Sequence, residues 1–398
     1  MTTPQTAPAY PATERLDLVD DFHGTPVADP YRWLESSDDP RTQEWLAAQA
    51  ALMSDERAGW AARDGFVERI GALLGAGTVS PPYWRGPRHF LSRREPGQQF
   101  SVLYVVEADG TERALIDPMA LDPSGLTTLD SWQPSKEGDR LAYQLSIGGN
   151  EESLLYVMDV ATGETLEGPI DRCRYSPIAW VPGANSFYYV RRIAPDLLPE
   201  SDILVFGSGM TMTNYYGVEV SRDGHWLQVS SSEGTEPRNN LWVADLTSSP
   251  HASPAFTLVQ GDVDAQTSLS FGRDGRVYVS TDLDAPRGRL AITSPGAWSS
   301  IAWDDLIPED PEAVLESVTL LDGDDLDEDL LLVVRTAHGV ARMSLHRADD
   351  GSYLKDIELP GAGTVGGPVE HIDGGPLTWF VYTDHTTVPT IYAYDART

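Results

Sequence analysis

Hydrophobic and polar positions along this chain alternate in short runs separated by turn residues. Residues 132–159 read as turn, strand, turn, strand. Gly and Asp fill the turns because these positions need a positive φ or a side chain that hydrogen-bonds its own backbone. Similar units begin at 181–186, 220–224 and 272–275. Their spacing of roughly 40–50 residues is that of a four-stranded blade, and the pattern predicts a β-propeller.

The first seventy-odd residues follow a different, helical pattern. Asp39-Pro40 is a favourable N-cap and first-turn pair for a helix that continues toward Glu56. A second helix is predicted from Asp64 to Gly75, with an apolar face at helical spacing formed by Phe66, Ile70, Leu73 and Leu74. We therefore predict an N-terminal helical segment over 1–77 and a propeller over 78–398.

Seven blade-like segments follow residue 78. They cover 83–117, 132–159, the region from 178, and 217–258, 268–301, 314–359 and 363–394. The predicted fold is mainly β, a seven-bladed β-propeller preceded by a short helical N-terminal segment. The third segment is short, because only 203–206 is strand-like after 187–192, which predicts a missing strand and an open sheet edge.

Composition narrows the class of protein. The 398 residues carry 28 basic and 61 acidic side chains, a net charge of −33, and such a surface repels nucleic acid. No apolar run is long enough to predict a membrane span, and the N-terminus lacks the pattern of a secretory signal. One cysteine, Cys173, fits a reducing compartment. We expect a cytoplasmic protein with no membrane or nucleic-acid partner.

Five stretches closely resemble the prolyl oligopeptidase family, which are serine peptidases that cleave short peptides after proline. They are DDFHG at 20–24, DPYRWLE at 29–35, EWLAAQ at 44–49, LAYQLSIGGNE at 141–151 and EGTEPRNNLW at 233–242. The resemblance implies a seven-bladed propeller that caps an α/β-hydrolase domain, with the N-terminal helices on the hydrolase side. Short peptides, and a separate α/β-hydrolase chain, are the partners it implies.

The family's catalytic motif is missing from this sequence. A hydrolase of this type carries its nucleophile in a Gly-x-Ser-x-Gly elbow, and Gly207-Ser-Gly209 lacks that spacing. None of the eight histidines has the context of a catalytic base. We therefore expect no catalytic residue and no C-terminal α/β-hydrolase domain in this chain, which alone is predicted to be inactive.

The resemblance also points to substrate-binding positions. Tyr175 and Thr235 match residues that touch the peptide in the family, whereas Tyr216 and Glu151 match more loosely. The tyrosines would form aromatic walls, and Glu151 would attract a peptide's amino end. Ser232 stands where the family often has an arginine. The alternative is that both tyrosines pack between blades and that Glu151 is an exposed loop carboxylate.

Three other features have simpler explanations. Cys173 shares a strand face with Tyr175 if both lie on a strand, but a lone cysteine is more often a small buried hydrophobe. The acidic run 322–329 fails the spacing of a calcium loop and is predicted to be a solvated hairpin turn. His23 has no metal-ligating neighbours in sequence and is predicted to be a turn residue. No metal or cofactor is expected.

Several hypotheses follow for the function. The first is the N-terminal and propeller portion of a prolyl oligopeptidase-like endopeptidase, which admits only short proline-containing peptides. The second is a stand-alone propeller that binds a peptide or protein, or a degenerate remnant. An unrelated propeller enzyme is a third, although no clustered motif supports it. Without a hydrolase domain, the apolar face of Trp33, Trp45, Leu52 and Met53 is predicted to be exposed.

Overall fold

A computed structural model describes residues 9–193, 199 and 201–398. The chain divides into two compact units, Met1–Ala76 and Gly77–Thr398. Across the described part of the chain, no helix combines the length and the apolar character that crossing a membrane requires.

The N-terminal unit begins with a hairpin and ends with two helices. The hairpin joins β1 (Val19–Phe22) to β2 (Thr25–Ala28), and a 3₁₀ turn follows at Arg32–Glu35. Helix α1 (Pro40–Ala58) starts as predicted, since the Asp39 carboxylate accepts the Arg41 backbone N–H at 2.9 Å. Helix α2 covers Arg63–Leu74 and ends at Gly75.

The prediction that Trp33 and Trp45 are exposed is wrong. Trp33 is 7% exposed, and its indole N–H donates to the Glu14 carbonyl at 3.1 Å. Trp45 is half-buried and donates to the Thr13 hydroxyl at 2.9 Å. The extended chain before β1 therefore covers both rings. Met53 of α1 is exposed as predicted. Helix α2 buries no residue, and its exposed apolar side chains are Phe66, Val67, Ile70, Leu73 and Leu74.

In its described residues, the larger unit consists of antiparallel sheets together with a short α-helix, α3 (Pro118–Leu121), and a 3₁₀ turn at Ser300–Ala302. In chain order the sheets are β3 (Thr78–Val79), β4 (Tyr83–Arg85), β5 (Arg88–Arg94), β6 (Val102–Val106) and β7 (Glu112–Ile116); β8 (Thr127–Pro134), β9 (Arg140–Ile147), β10 (Leu154–Asp159) and β11 (Thr165–Ile170); β12 (Ile178–Trp180) and β13 (Phe187–Tyr189); β14 (Asn214–Val220), β15 (Trp226–Glu233), β16 (Asn240–Asp245) and β17 (Phe256–Gln260); β18 (Thr267–Phe271), β19 (Val277–Thr281), β20 (Arg289–Thr293) and β21 (Asp304–Ile307); β22 (Val314–Leu321), β23 (Leu330–Ala337), β24 (Val340–Arg347) and β25 (Tyr353–Ile357); β26 (Thr364–Val365), β27 (Val369–Glu370), β28 (Leu377–Thr383) and β29 (Thr390–Asp395).

The predicted count of seven blades is wrong, because the structure is a six-bladed propeller. Six sheets have four or more strands, whereas the third predicted segment forms only the two-stranded sheet β12–β13. The strand-like stretch 203–206 forms no strand. Its Phe206 ring lies 4.9 Å from the rings of both Trp242 and Phe256, so the neighbouring β14–β17 sheet has taken up this side chain in its core. Residues 194–198 and 200 of that predicted segment lie outside the described residues.

Leucines and valines between adjacent sheets form the core. Fully buried examples are Leu141, Leu155, Leu227, Leu290 and Leu331. In the sheets that begin with β8, β14, β18 and β22 the first strand pairs only with the second, and in the last sheet β27 pairs only with β28. The turns that follow these five strands lie at one end of the propeller. We call this the hairpin end, formed by 135–139, 221–225, 272–275, 322–329 and 371–375. The end at which the first strands begin is called the cavity end.

Two sets of contacts cross between sheets that are far apart in sequence. At the hairpin end, Arg222 donates to the buried Asp322 carboxylate at 2.8 Å, and Arg273 approaches the same carboxylate at 3.6 Å. The first and last sheets meet where the Trp84 ring lies 5.0 Å from His371 and 5.9 Å from Trp379. The ring of sheets is therefore closed by side chains.

Candidate functional site

The predicted site residues all lie at the cavity end. Tyr175 lies three residues before β12, and Tyr216 is the third residue of β14. Glu151 lies between β9 and β10, and Thr235 lies between β15 and β16. In an antiparallel sheet, the start of the first strand and the connection between the second and third strands lie at the same end. The topology therefore brings together residues from three different sheets.

Three of these four residues surround one cavity of about 530 Å³. The cavity is lined by Asp130, Ser131, Gln144, Glu151, Ser153, Tyr175, Ser176, Pro177 and Tyr216. Thr235 is exposed and is not among these lining residues. The expected grouping of Tyr175, Tyr216 and Glu151 is thus a property of the structure, whereas their role in binding a substrate stays a prediction.

Glu151 is an anion with two local partners. Its carboxylate accepts from the Arg174 guanidinium at 2.6 Å and from the Tyr175 hydroxyl. The Tyr175 hydrogen bond, followed by the one from Arg174, holds the pKa of Glu151 below its usual range. The carboxylate therefore stays ionised, and much of its charge is already neutralised by Arg174.

Tyr175 is held in an unusual backbone conformation. Its φ is 53°, and Glu151 opposite it has a φ of 59°. Side chains other than glycine rarely adopt this left-handed region, and residues that do so are concentrated at functional sites. The Gln144 amide donates to the Ser176 carbonyl at 2.7 Å and fixes the turn against β9. The ring is consequently presented to the cavity, with Tyr175 about half exposed.

Cys173 lies in this same turn but does not face the cavity. Its side chain is 0% exposed and packs with Ala142, Leu155 and Trp180. Because Tyr175 is in a turn, the two side chains do not share a strand face. Burial raises the pKa of the Cys173 thiol to about 12. The interpretation of Cys173 as a small buried hydrophobe is confirmed.

The sequence reasoning missed Tyr215 and Arg192. The Tyr215 ring lies 6.2 Å from the Tyr175 ring, and the Arg192 guanidinium lies over Tyr215 at 4.6 Å. Adjacent residues of a strand point to opposite faces, and Tyr216 packs edge-on against Phe206, 6.1 Å between ring centroids. The Tyr215-Tyr216 pair in the sequence signals an aromatic contribution here, but not which ring would meet Tyr175.

Two other predicted features are not among the residues that line the cavity. His23 occupies the β1–β2 turn with a φ of 56°, as expected for a turn residue. The run 322–329 connects β22 to β23 as the predicted hairpin turn, and four of its residues are exposed. Its first residue departs from the prediction, because Asp322 is 1% exposed. Within the described ranges, no group of three or more potential ligands is placed to hold a metal ion.

The arrangement is suited to binding. Aromatic rings, two carboxylates and three serine hydroxyls surround a cavity large enough for several peptide residues. Among the described residues that line it there is no histidine.

Comparison with known proteins identifies the family that this propeller resembles. Residues 10–398 match the family model described as "Prolyl oligopeptidase, N-terminal beta-propeller domain". A prolyl endopeptidase of Elizabethkingia meningoseptica is 26% identical over 98% of this chain and 56% of its own length. A dual function macrocyclase-peptidase of Galerina marginata is also 26% identical, over 78% of this chain and 48% of its own. The chain therefore spans about half the length of these relatives.

Solved structures agree with this match. One structure from a mechanistic analysis of two prolyl endopeptidases superposes with a TM-score of 0.84 at 27% identity, covering 98% of this chain and 58% of the other. Prolyl oligopeptidase B of Galerina marginata, bound to a 35-residue substrate, has the same fold with a TM-score of 0.82 at 23% identity, over 99% of this chain and 60% of that one. This chain belongs to the prolyl oligopeptidase family and corresponds to that family's N-terminal propeller region.

Proposed function

We propose that this chain is the peptide-admitting part of a prolyl oligopeptidase-type serine endopeptidase. Its cavity end receives short proline-containing peptides and passes them to an α/β-hydrolase domain that carries the catalytic residues. The observation that carries the proposal is the cavity built by Tyr175, Tyr216 and Glu151 within a chain that belongs to this family.

Side-chain contacts at the hairpin end favour the entry of peptides through the cavity end. Arg222 and Asp322 meet at 2.8 Å although they belong to different, non-adjacent sheets. Their contact places side chains across the axis of the propeller and narrows that end. A folded protein is too large for such a passage, whereas a short flexible peptide fits a cavity of about 530 Å³. This is the basis for selection by size.

The first test is binding of a short, capped proline-containing peptide to the purified chain, measured by isothermal titration calorimetry. Tyr175→Ala removes one aromatic wall and is expected to weaken binding by up to about tenfold, because an aromatic contact contributes about 0.5–1.5 kcal/mol beyond its buried area. Tyr353→Ala is the matched control, since Tyr353 is similarly exposed (58% against 54%) but lies on the outer strand β25. Equal effects of the two substitutions would contradict the assigned cavity.

The second test is hydrolysis of a chromogenic Gly-Pro substrate. We expect no turnover by the chain alone and turnover on mixing with a separately expressed α/β-hydrolase domain. Turnover by the chain alone would refute the assignment of the nucleophile to another domain. Peptide binding without turnover in any mixture would instead favour the stand-alone binding module.

A further inference from the structure

A second cavity adjoins the first one at the cavity end. It has a volume of about 570 Å³ and is lined by residues of β5, α3 and β8 and of the loop before β6. Asp130 and Ser131 belong to the lining of both cavities. The two cavities are therefore neighbouring compartments with a shared wall, and Asp130 lies at their boundary.

Asp130 is the extra residue of a β-bulge. Leu129 pairs with Leu145 and Ser131 pairs with Gln144, which leaves Asp130 without an opposite residue on β9. Bulges redirect a side chain and are frequent beside binding sites. The Thr128 hydroxyl donates to the Asp130 carboxylate at 2.8 Å and the Ser153 hydroxyl at 2.7 Å. The carboxylate is thus held from its own strand and from the neighbouring turn while it stays exposed.

The two carboxylates of this region differ in whether a cationic side chain pairs with them. Glu151 is paired with Arg174, whereas Asp130 accepts only from neutral hydroxyls and forms no ion pair among the described residues. The chain's net charge of −33 adds a potential that attracts cations to such a group. Asp130 is accordingly an oriented anion that a cation from outside can approach.

We propose that Asp130 is a specificity-determining residue that binds a positively charged group of the peptide at the boundary of the two cavities. The group is an ammonium, either the α-amino end of a short peptide or a lysine side chain. This inference rests on the proposed function, since it names which peptides the cavity prefers. A peptide that fills the first cavity with its apolar part would place its cation against Asp130, where charge-assisted hydrogen bonds replace part of its hydration.

Three short peptides with one proline test the inference by isothermal titration calorimetry. The parent has both ends capped and an internal norleucine; the second has a free amino end; the third is capped and has lysine in place of norleucine. We expect at least one cationic peptide to bind about tenfold more tightly than the parent. Asp130→Asn should bind all three peptides with about equal affinity, and its far-UV circular dichroism spectrum shows whether the variant is folded.

Asp324→Asn is the matched control, because Asp324 is an exposed carboxylate at the hairpin end, and it should keep the preference. A preference for the free amino end alone identifies the α-amino group, and one for lysine alone identifies the side chain. Raising the salt concentration should reduce the preference of the wild-type chain, which tests the charge independently of any variant.

Equal binding of all three peptides would overturn the role of Asp130 and leave the proposed function intact. Loss of the preference in Glu151→Gln but not in Asp130→Asn would also overturn it. No binding of any peptide would overturn the proposed function together with this inference.

Discussion

Asp322 is predicted to be the anion that ties distant sheets together at the hairpin end. Its side chain is 2% exposed, with Arg222 at 2.8 Å and Arg273 at 3.6 Å. Asp322→Asn removes the negative charge while it preserves the size of the side chain. Two guanidinium groups then remain near a neutral amide, so the variant should be less stable than the wild type.

The size of the effect follows from burial. Breaking a fully buried ion pair by removing one partner costs about 3–5 kcal/mol. The Arg222 side chain is 23% exposed and that of Arg273 is 46% exposed, so water can partly solvate the charges left behind. We therefore expect a loss of about 2 kcal/mol in the free energy of unfolding, below the fully buried range.

The assay is urea unfolding monitored by far-UV circular dichroism. Glu328→Gln is the matched control, because the Arg347–Glu328 pair has the same 2.8 Å distance but both side chains are about half exposed. That control should cost about 0–1 kcal/mol. A double-mutant cycle of Asp322→Asn with Arg222→Met should show a coupling of about 1 kcal/mol or more. Equal costs in the two carboxylate variants, or strictly additive effects in the cycle, would refute this reasoning.

Three further outcomes are expected. Burial raises the pKa of Glu370 above its ordinary 4.5 and outweighs the opposing effect of Arg222 at 3.6 Å, so ionisation of Glu370 disfavours folding above its folded pKa. Glu370→Gln should therefore raise the urea concentration at the unfolding midpoint at pH 8 and have no effect below pH 4.5, where the carboxyl is protonated in both states. Buried Cys173, with a pKa of about 12, should react with a thiol reagent at pH 8 only after unfolding, and fast reaction of the native chain would contradict its burial. Trp45→Phe should lower stability by about 1 kcal/mol through loss of the bond to Thr13, seen as a lower melting temperature, whereas no change would indicate that this bond is not formed.

Local signals in the sequence predicted local structure well. Asp39-Pro40 correctly predicted the start of α1, and Gly75 correctly predicted the end of α2. Both predictions succeeded because helix caps depend on a few neighbouring residues. The blade count failed because strand-like composition at 203–206 does not reveal that Phe206 packs into the next sheet. Propensity measures suitability for a half-buried surface, and tertiary packing decides which surface is used.

The candidate site was likewise predicted only where the signal was local in sequence. Tyr175, Tyr216 and Glu151 were found through motifs, but the neutralisation of Glu151 by Arg174 depends on a contact across 23 residues. Asp322 was taken for a solvated turn residue because its partner, Arg222, is 100 residues away in sequence. Asp130 gave no motif signal, since a bulge becomes visible only when the register of β8 against β9 is known.

The contact between Trp84 and the last sheet has a mechanical consequence. Every strand of the first sheet comes from 78–116, and every strand of the last sheet comes from 364–395. The first and last sheets therefore meet through side chains, and no described strand of one pairs with a strand of the other. Parting them there separates Trp84 from His371 and Trp379 and breaks no strand pairing. Each such ring contact contributes about 0.5–1.5 kcal/mol beyond its buried area, far less than the unfolding of a blade. The first and last sheets are therefore expected to separate more readily than any blade unfolds, and a change in the diameter of the propeller would begin between these two sheets.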